Sequence, residues 1–347
     1  MLLEQCPNQA TYLASHKCVR HLIDHHKLYV GISGGSDSDI VIDLLERVLA
    51  ENEFDYRGEV HYVFFDTGIE YEATKRHIDE LEEKYGVKIE RIKAKVVVPT
   101  GCKQFGVPFI SKYVSEMIDR LQAWNFDFAN DGNKSFDELM TKYKNCKCAL
   151  QFWCNANPLT KKGKPSKNNI ERHFALKEFM IENPPTFRIS QKCCNGAKKE
   201  NGHDYIQNND IDLQVLGLRK AEDGIRSTNI HSCFSLGKDG CDSFRLIWWF
   251  TDKDKQQYKD YYHLQHSDCY EVYGLTRTGC AGCPFGSGWE DELKVIEKYE
   301  PKLYTAAWNI FGESYRYTRK YREYKWRLKH GIIKGQISLF DNAEATV

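Results

Sequence analysis

The fold is decided by the stretch Leu28-Tyr29-Val30-Gly31-Ile32-Ser33-Gly34-Gly35-Ser36-Asp37-Ser38. Its first five residues are typical of a buried strand, and apolar residues at helical spacing follow from Ile40 to Leu49. Two glycines let the backbone approach an anion closely, and the N-terminus of the following helix presents N–H groups and a positive dipole. We therefore predict that Ser33, Gly34, Gly35, Ser36, Asp37 and Ser38 hold a phosphate group. An ordinary glycine-containing turn is the alternative.

Strands and helices alternate on either side of this loop. Apolar runs predict strands at 59–65, 87–92, 213–218 and 244–249, and a helix at 71–85. Alternation of this kind favours an α/β fold with a mostly parallel sheet flanked by helices. We divide the chain into an N-terminal helix (1–26), an α/β domain (27–289) with a helical insertion (about 97–190), a helical segment (290–330) and a tail (331–347).

The composition is that of an ordinary globular protein. The chain has 347 residues, 41% hydrophobic residues and a formal net charge of zero, so any contact with nucleic acid has to come from a local patch. No apolar run approaches the ~20 residues that span a bilayer, and the N-terminus does not resemble a signal peptide. We therefore expect a cytoplasmic protein without a membrane partner.

Thirteen cysteines are many for such a protein, and four of them are paired in sequence. The adjacent Cys193 and Cys194 would be strained as a disulfide, whereas as thiolates they could hold two corners of a metal site. Cys280-Ala281-Gly282-Cys283 could supply the other two corners. Four thiolates suit either iron–sulfur or zinc. Buried cysteines without a metal are the third alternative.

Five motifs together resemble the PP-loop superfamily, which includes ATP pyrophosphatases and the reductases of adenylylsulfate and phosphoadenylylsulfate (PAPS). The loop Ser33–Ser38 resembles the S-G-G-x-D-S signature, in which reductases usually carry lysine where this chain has Ser36. Four later motifs are similar to superfamily blocks and occur in the same order. They are a stretch after the second strand (Asp66–Glu70), an arginine-containing block (Leu216–Ser227), a helix start (Trp249–Asp254) and a cysteine loop (Gly274–Gly286). The resemblance covers about Leu28 to Gly286.

The resemblance implies a set of site residues. The nucleotide would be bound by the loop together with Asp66, Thr67, Gly217, Arg219, Arg226 and Ser227. It implies catalytic roles for Asp37, Arg219 and Arg226, in which the arginines clamp a sulfate or phosphate. Asp37 and Asp66 are candidates for contacts to Mg²⁺ or to the ribose. The resemblance favours a 4Fe–4S cluster on Cys193, Cys194, Cys280 and Cys283.

The implied activity is sulfur transfer with ATP or a sulfonucleotide. Superfamily reductases attack their substrate with a cysteine in a C-terminal E-C-G-L-H motif, and no cysteine follows Cys283 here. This favours the other branch, in which ATP activates a substrate oxygen, pyrophosphate leaves and sulfur replaces that oxygen. The acceptor would be DNA, as in phosphorothioation, or tRNA, and a cysteine desulfurase is a plausible partner. Reduction of PAPS or adenylylsulfate, and a non-catalytic nucleotide-binding module, are the alternatives.

Two C-terminal features indicate possible macromolecular partners. Basic and aromatic residues alternate from Tyr315 to His330, and we expect one helix face to pack inward through Tyr317, Tyr321, Tyr324 and Leu328. The cations and the remaining aromatic residues would then suit the phosphates and bases of DNA or tRNA. A solvated basic helix that caps the domain is the equal alternative. The peptide Gln336-Ile337-Ser338-Leu339-Phe340 is similar to the Q-L-x-L-F peptide that docks on the bacterial replication sliding clamp. The alternative is that this tail packs on its own domain.

Overall fold

The computed structural model describes residues 5–51, 58–159, 163–164, 166, 168–222, 230–237, 239–286 and 288–331. Within these ranges, no helix combines the length and the apolar character needed to cross a bilayer. The predicted site residues Arg226 and Ser227 and the peptide Gln336–Phe340 lie outside the described residues.

The described strands form one sheet in the order β3-β2-β1-β4-β6-β5. All neighbouring strands are parallel except the antiparallel edge pair β5 and β6. The strands are β1 (Lys27–Gly31), β2 (Glu59–Asp66), β3 (Ile89–Lys93), β4 (Leu213–Leu216), β5 (Phe234–Ser235) and β6 (Asp242–Arg245). The predicted α/β fold with a mostly parallel sheet is confirmed.

Strand β1 lies at the centre of the sheet because its apolar residues are covered on both sides. Leu28, Tyr29 and Val30 are buried, and β1 pairs with β2 on one side and β4 on the other. The chain therefore leaves β1 in one direction and later returns on its opposite side. In open α/β sheets, ligands bind outside the carboxyl ends of the strands at such a switch point.

The helices make up most of the remaining described structure. They are α1 (Gln9–Asp24), α2 (Ser36–Glu51), α3 (Glu72–Tyr85), α4 (Val98–Phe105), α5 (Lys112–Ala123), α6 (Phe128–Asp131), α7 (Phe136–Lys142), α8 (Lys147–Trp153), α9 (Leu176–Glu182), α10 (Glu200–Asn208), α11 (Asp252–Tyr262), α12 (Asp268–Glu271), α13 (Trp289–Tyr299) and α14 (Pro301–Lys329). A π-helical turn, Asn195–Lys199, precedes α10.

Two compact units share the chain. The first comprises 1–101, 193–283 and 290–307, and contains the sheet. Its core is formed by the apolar residues of α1, α2 and the strands, among them Ile40, Leu44 and Val215. The second comprises 102–192, 284–289 and the chain from 308 onward. The segment predicted at 290–330 is thus divided between the two units.

The second unit has its own aromatic core, to which α14 contributes one face. Tyr317 and Tyr321 are buried in this core, and Tyr324 packs against it. Their hydroxyls donate to Asn183 O, Phe174 O and Glu182 Oε1 at 2.7, 2.7 and 3.0 Å. The prediction that Leu328 packs with them is wrong, because this side chain is 48% exposed.

The predicted strand at 244–249 is shorter than expected. Strand β6 ends at Arg245, and Leu246 and Ile247 are buried in a turn closed by hydrogen bonds from Trp248 N to Arg245 O and from Phe250 N to Ile247 O. A short apolar run in the sequence indicates that its side chains are buried, but it does not specify whether the backbone forms a strand or a turn.

Candidate functional site

The loop Ser33–Ser38 connects β1 to α2 at the carboxyl edge of the sheet. Gly34 has a φ of 65°, in the left-handed region. A Cβ atom at Gly34 would lie only 2.6 Å from Thr74 Cγ2 of α3. Both observations require glycine here, because other residues avoid this φ and would also collide with Thr74. The loop backbone is therefore packed closely on α3.

Hydroxyl groups hold the loop in place. Ser38 Oγ donates to Gly35 O at 2.8 Å and accepts from Gly35 N at 3.2 Å and Ser33 N at 3.3 Å. Tyr270 OH accepts from Ser36 N at 3.2 Å. Three loop amides thus bond to neutral oxygens at the long end of the hydrogen-bond range. A phosphate oxygen would make shorter, charge-assisted bonds to the same amides.

Asp37 is held by two cations at the start of α2. Its Oδ1 lies 3.2 Å from Arg219 Nε and 2.6 Å from Lys255 Nζ. Lys255 Nζ also donates to Ser36 Oγ at 2.8 Å. Asp252 Oδ1 accepts from Arg219 NH1 at 2.8 Å. The structure therefore brings the predicted residues Asp37 and Arg219 together and adds Lys255, which the sequence analysis missed.

Gly217 and Asp66 also lie at this edge of the sheet. A Cβ atom at Gly217 would lie 3.4 Å from Asp37 O, so Gly217 passes close to the start of α2. Asp66 is the last residue of β2, the strand beside β1, and its Oδ1 accepts from Gly68 N at 2.8 Å. Gly217 directly follows β4 and Asp66 ends β2, so the carboxyl ends of β4 and β2 place predicted site residues at the same edge of the sheet.

Asp39 marks a second charged group, which the sequence analysis also missed. Its carboxylate is fully buried and lies between two histidine rings, 3.1 Å from His77 Nε2 and 2.7 Å from His266 Nδ1. Glu80 Oε2 lies 3.1 Å from His77 Nδ1. Burial acts to lower the pKa of His77, but the Asp39 and Glu80 carboxylates outweigh it and raise the pKa above its ordinary value.

The loop that carries Cys280 is anchored beside the loop Ser33–Ser38. Thr278 Oγ1 lies 3.0 Å from Tyr270 OH, the same hydroxyl that accepts from Ser36 N. Ala281 N donates to Ile69 O at 3.0 Å, just after β2. Cys280 Sγ lies 3.7 Å from Thr67 Oγ1, which donates to the buried Glu70 at 2.5 Å. The structure thus places Thr67, Cys280 and the loop Ser33–Ser38 in one region of the first unit.

Lys198 interacts electrostatically with three of the four predicted cysteine ligands. Burial acts to lower the pKa of Lys198, but Cys280, Glu70, Cys194 and Cys283 together raise it. Burial in turn raises the pKa of the Cys280 thiol, and Lys198 opposes that shift. Three of the four predicted ligands therefore influence one ammonium group.

The fourth predicted ligand, Cys193, is buried against α4. A Cβ atom at Gly101 would lie 3.2 Å from Cys193 Cα. Across the described ranges, no group of three or more His, Cys, Asp or Glu side chains is arranged to hold a metal ion. The donor chemistry fits an iron–sulfur cluster, but the positions of these side chains are not those of an assembled metal site.

Comparison with known proteins locates the family resemblance. Residues 27–124 match the family model of the phosphoadenosine phosphosulfate reductase domain, so the predicted resemblance is confirmed for that part of the chain. An uncharacterised protein of Methanocaldococcus jannaschii is 32% identical over 79 residues, which cover 23% of this chain and 15% of that relative.

Two solved structures are similar at low sequence identity. The PAPS reductase of Candida auris, in a phosphate complex, is 10% identical with a TM-score of 0.40, and the match covers 77% of this chain and 87% of that chain. The U34-tRNA thiolase NcsA of Methanococcus maripaludis, with its 4Fe–4S cluster, is 11% identical with a TM-score of 0.38, and the match covers 96% of this chain and 83% of that one.

Proposed function

We propose that this chain binds an adenine nucleotide and uses it in sulfur transfer. The starting point is the match of residues 27–124 to the phosphoadenosine phosphosulfate reductase domain. The observation that carries the proposal is the pairing of Arg219 and Lys255 on Asp37 at the N-terminus of α2. Two cations, a glycine loop and a helix N-terminus converge where open α/β sheets bind ligands. This combination suits the phosphates of a nucleotide.

The reaction that we propose begins with attack by a substrate oxygen on the α-phosphorus of ATP, from which pyrophosphate leaves. A sulfur nucleophile then displaces AMP, which carries the activated oxygen away. Arg219 and Lys255 neutralise the negative charge that develops on the phosphate oxygens, and the loop amides donate to them. Mg²⁺, when bound, would add positive charge, with Asp37 and Asp66 as candidate oxygen ligands.

We propose a 4Fe–4S cluster on Cys193, Cys194, Cys280 and Cys283, on the strength of their donor chemistry. Cys194, Cys280 and Cys283 all act electrostatically on Lys198, which supports ligands that lie near one another. Iron and acid-labile sulfide in anaerobically purified protein would support the cluster. Zinc alone, or no metal, would refute it.

The nucleic acid that would accept sulfur, DNA or tRNA, has a candidate surface in the second unit. Arg316 and Arg319 are exposed and three residues apart on α14, so they share one helix face. The Arg319 guanidinium lies 5.5 Å from the centroid of the Trp308 ring. Cations beside an aromatic ring suit a phosphate backbone with exposed bases. A cysteine desulfurase as sulfur donor, and a sliding clamp that binds Gln336–Phe340, complete the partners that we propose.

The test is the release of pyrophosphate from ATP by anaerobically purified protein, alone, with tRNA and with DNA. If either tRNA or DNA stimulates the release of pyrophosphate, the result would support the proposal and identify which nucleic acid is the substrate. The matched variant is Asp37→Ala, in which we expect pyrophosphate release to be lost while the iron and sulfide content is unchanged. Loss of both together would contradict separate roles for Asp37 and the cysteines.

Reduction of PAPS or adenylylsulfate is the second candidate, and the matched family favours it. Residues 284–347 contain no cysteine, so an attacking thiol within this sequence would be one of its thirteen cysteines up to Cys283. Sulfite released from either sulfonucleotide, without pyrophosphate release from ATP, would establish this activity. Tight binding of ATP without either product would instead indicate a nucleotide-binding module that is not catalytic alone.

A further inference from the structure

Lys255 places a positive charge beside a loop that contains no cationic residue of its own. Position 36, which holds lysine in the reductase signature described above, is serine in this chain. Lys255 Nζ lies 2.8 Å from Ser36 Oγ and 2.6 Å from Asp37 Oδ1, although it is more than two hundred residues away in sequence. An ammonium group therefore lies at the start of α2 despite the missing loop lysine.

The helix that carries Lys255 is fixed at two points. Its first turn is closed by a capping box in which Thr251 and Asp254 exchange hydrogen bonds. One turn after Lys255, the buried Tyr258 donates to Asp43 Oδ2 of α2 at 2.7 Å. Helix α11 is thereby tied to α2, and the ammonium is held at the loop by packed secondary structure.

The ammonium has capacity for a further acceptor. Among the described residues, two oxygens contact Lys255 Nζ, and an ammonium group has three N–H donors. The side chain is 17% exposed, so it is desolvated along its length while its end faces the loop. A phosphate oxygen at the loop could bond to Lys255 without displacing Asp37.

We propose that Lys255 is a phosphate-binding residue of the nucleotide site and takes the place of the lysine that Ser36 replaces. This inference rests on the proposed function, because it needs a nucleotide at the loop. Asp37 is then a positioning residue that holds Lys255 and Arg219 toward the phosphate. The ligand class is a nucleoside with at least one phosphate in the loop, and adenosine without phosphate does not require Lys255.

The experiment measures binding of ATP and adenosine by Lys255→Met, which keeps most of the apolar stem and removes the charge. Loss of one charge-assisted hydrogen bond should weaken ATP binding by about 10- to 100-fold and leave adenosine binding unchanged. Arg219 still pairs with Asp37 in this variant, so we expect the fold to persist. The matched control is Lys253→Met, an exposed lysine in the same helix turn.

A rescue variant separates a charge effect from a structural one. Lys255→Met combined with Ser36→Lys moves the ammonium onto the loop, and we expect it to recover ATP binding to within about threefold of the original protein. ATP binding by Lys255→Met that equals the Lys253→Met control would overturn the inference. So would an equal loss of ATP and adenosine binding. If the unaltered protein binds neither ATP nor PAPS, the proposed function itself fails.

Discussion

Replacing Gly34 by alanine tests the geometry of the loop Ser33–Ser38, where we propose that phosphate binds. The new Cβ atom would meet two obstacles, the φ of 65° and the Thr74 methyl group at 2.6 Å. The left-handed conformation costs about 1–2 kcal/mol in a residue with a Cβ atom. The added methyl in a packed site costs about 1–3 kcal/mol more. Thr74 cannot turn away freely, because its Oγ1 lies 3.7 Å from the buried Cys269 Sγ.

We therefore expect Gly34→Ala to reduce the free energy of unfolding by about 2–5 kcal/mol. In a domain of 150–250 residues this corresponds to a fall in melting temperature of roughly 4–20 °C. ATP should also protect the variant less against heat, because the loop amides move when the backbone yields. The assay is a thermal melt monitored by circular dichroism, with and without ATP.

A second substitution isolates the collision from the backbone strain. Thr74→Ser removes the Cγ2 methyl and keeps the hydroxyl beside Cys269, at a cost of about 1 kcal/mol for the lost methyl. In the Thr74→Ser protein, the further loss caused by Gly34→Ala should fall to about 1–2 kcal/mol, the backbone cost alone. An identical loss in both backgrounds would show that Thr74 does not restrict the loop. Full stability of Gly34→Ala would refute the whole account.

Three further predictions concern charge and metal. The folded-state pKa of His77 is raised above its ordinary value. Its contribution to stability should therefore be complete below about pH 6.5 and be lost as pH rises through the raised pKa. The substitution His77→Gln should flatten this part of the curve of unfolding free energy against pH, and an unchanged slope would contradict the pairing with Asp39. Cys280→Ser should lower the iron content of anaerobically purified protein and leave ATP binding within about twofold of the unaltered protein, whereas Cys148→Ser, an exposed cysteine in the second unit, should change neither. Arg316→Ala should weaken binding of the stimulating nucleic acid and reduce the slope of log affinity against log salt by about 1; an unchanged slope would exclude a phosphate contact at this position.

The parts of the fold that the sequence predicts well are those determined by neighbouring residues. Strand β1, the loop and α2 follow from an apolar run, two glycines and helical spacing within about twenty residues. The capping box that begins α11 is likewise local, since Thr251 and Asp254 are three residues apart. The turn at 246–249 was missed because burial of Leu246 and Ile247 is compatible with either a strand or a turn.

The missed site residues share a different property, namely that their partners are remote in sequence. Lys255 reaches Ser36 because α11 follows β6, which lies two strands from β1 in the sheet. His266 reaches Asp39 across more than two hundred residues. Neither residue belongs to a spaced motif, so a sequence pattern could only have identified them as polar residues near the Trp249–Asp254 block.

The charge balance at the start of α2 would allow an acidic helix turn to serve as the anion site that we propose. Asp37 and Asp39 lie in the first turn, where their charges alone would repel a phosphate. Each carboxylate is paired with two nitrogen groups, Asp37 with Arg219 and Lys255, and Asp39 with two histidines. The two groups differ in access, because the Asp37 side chain is 28% exposed and the Asp39 side chain is fully buried. The proposed phosphate would therefore share the cations at Asp37, whereas the group at Asp39 holds α2 against its neighbours. Nucleotide binding should accordingly depend on Lys255 and Arg219 through direct contact, and on His77 and His266 only through the stability of the loop.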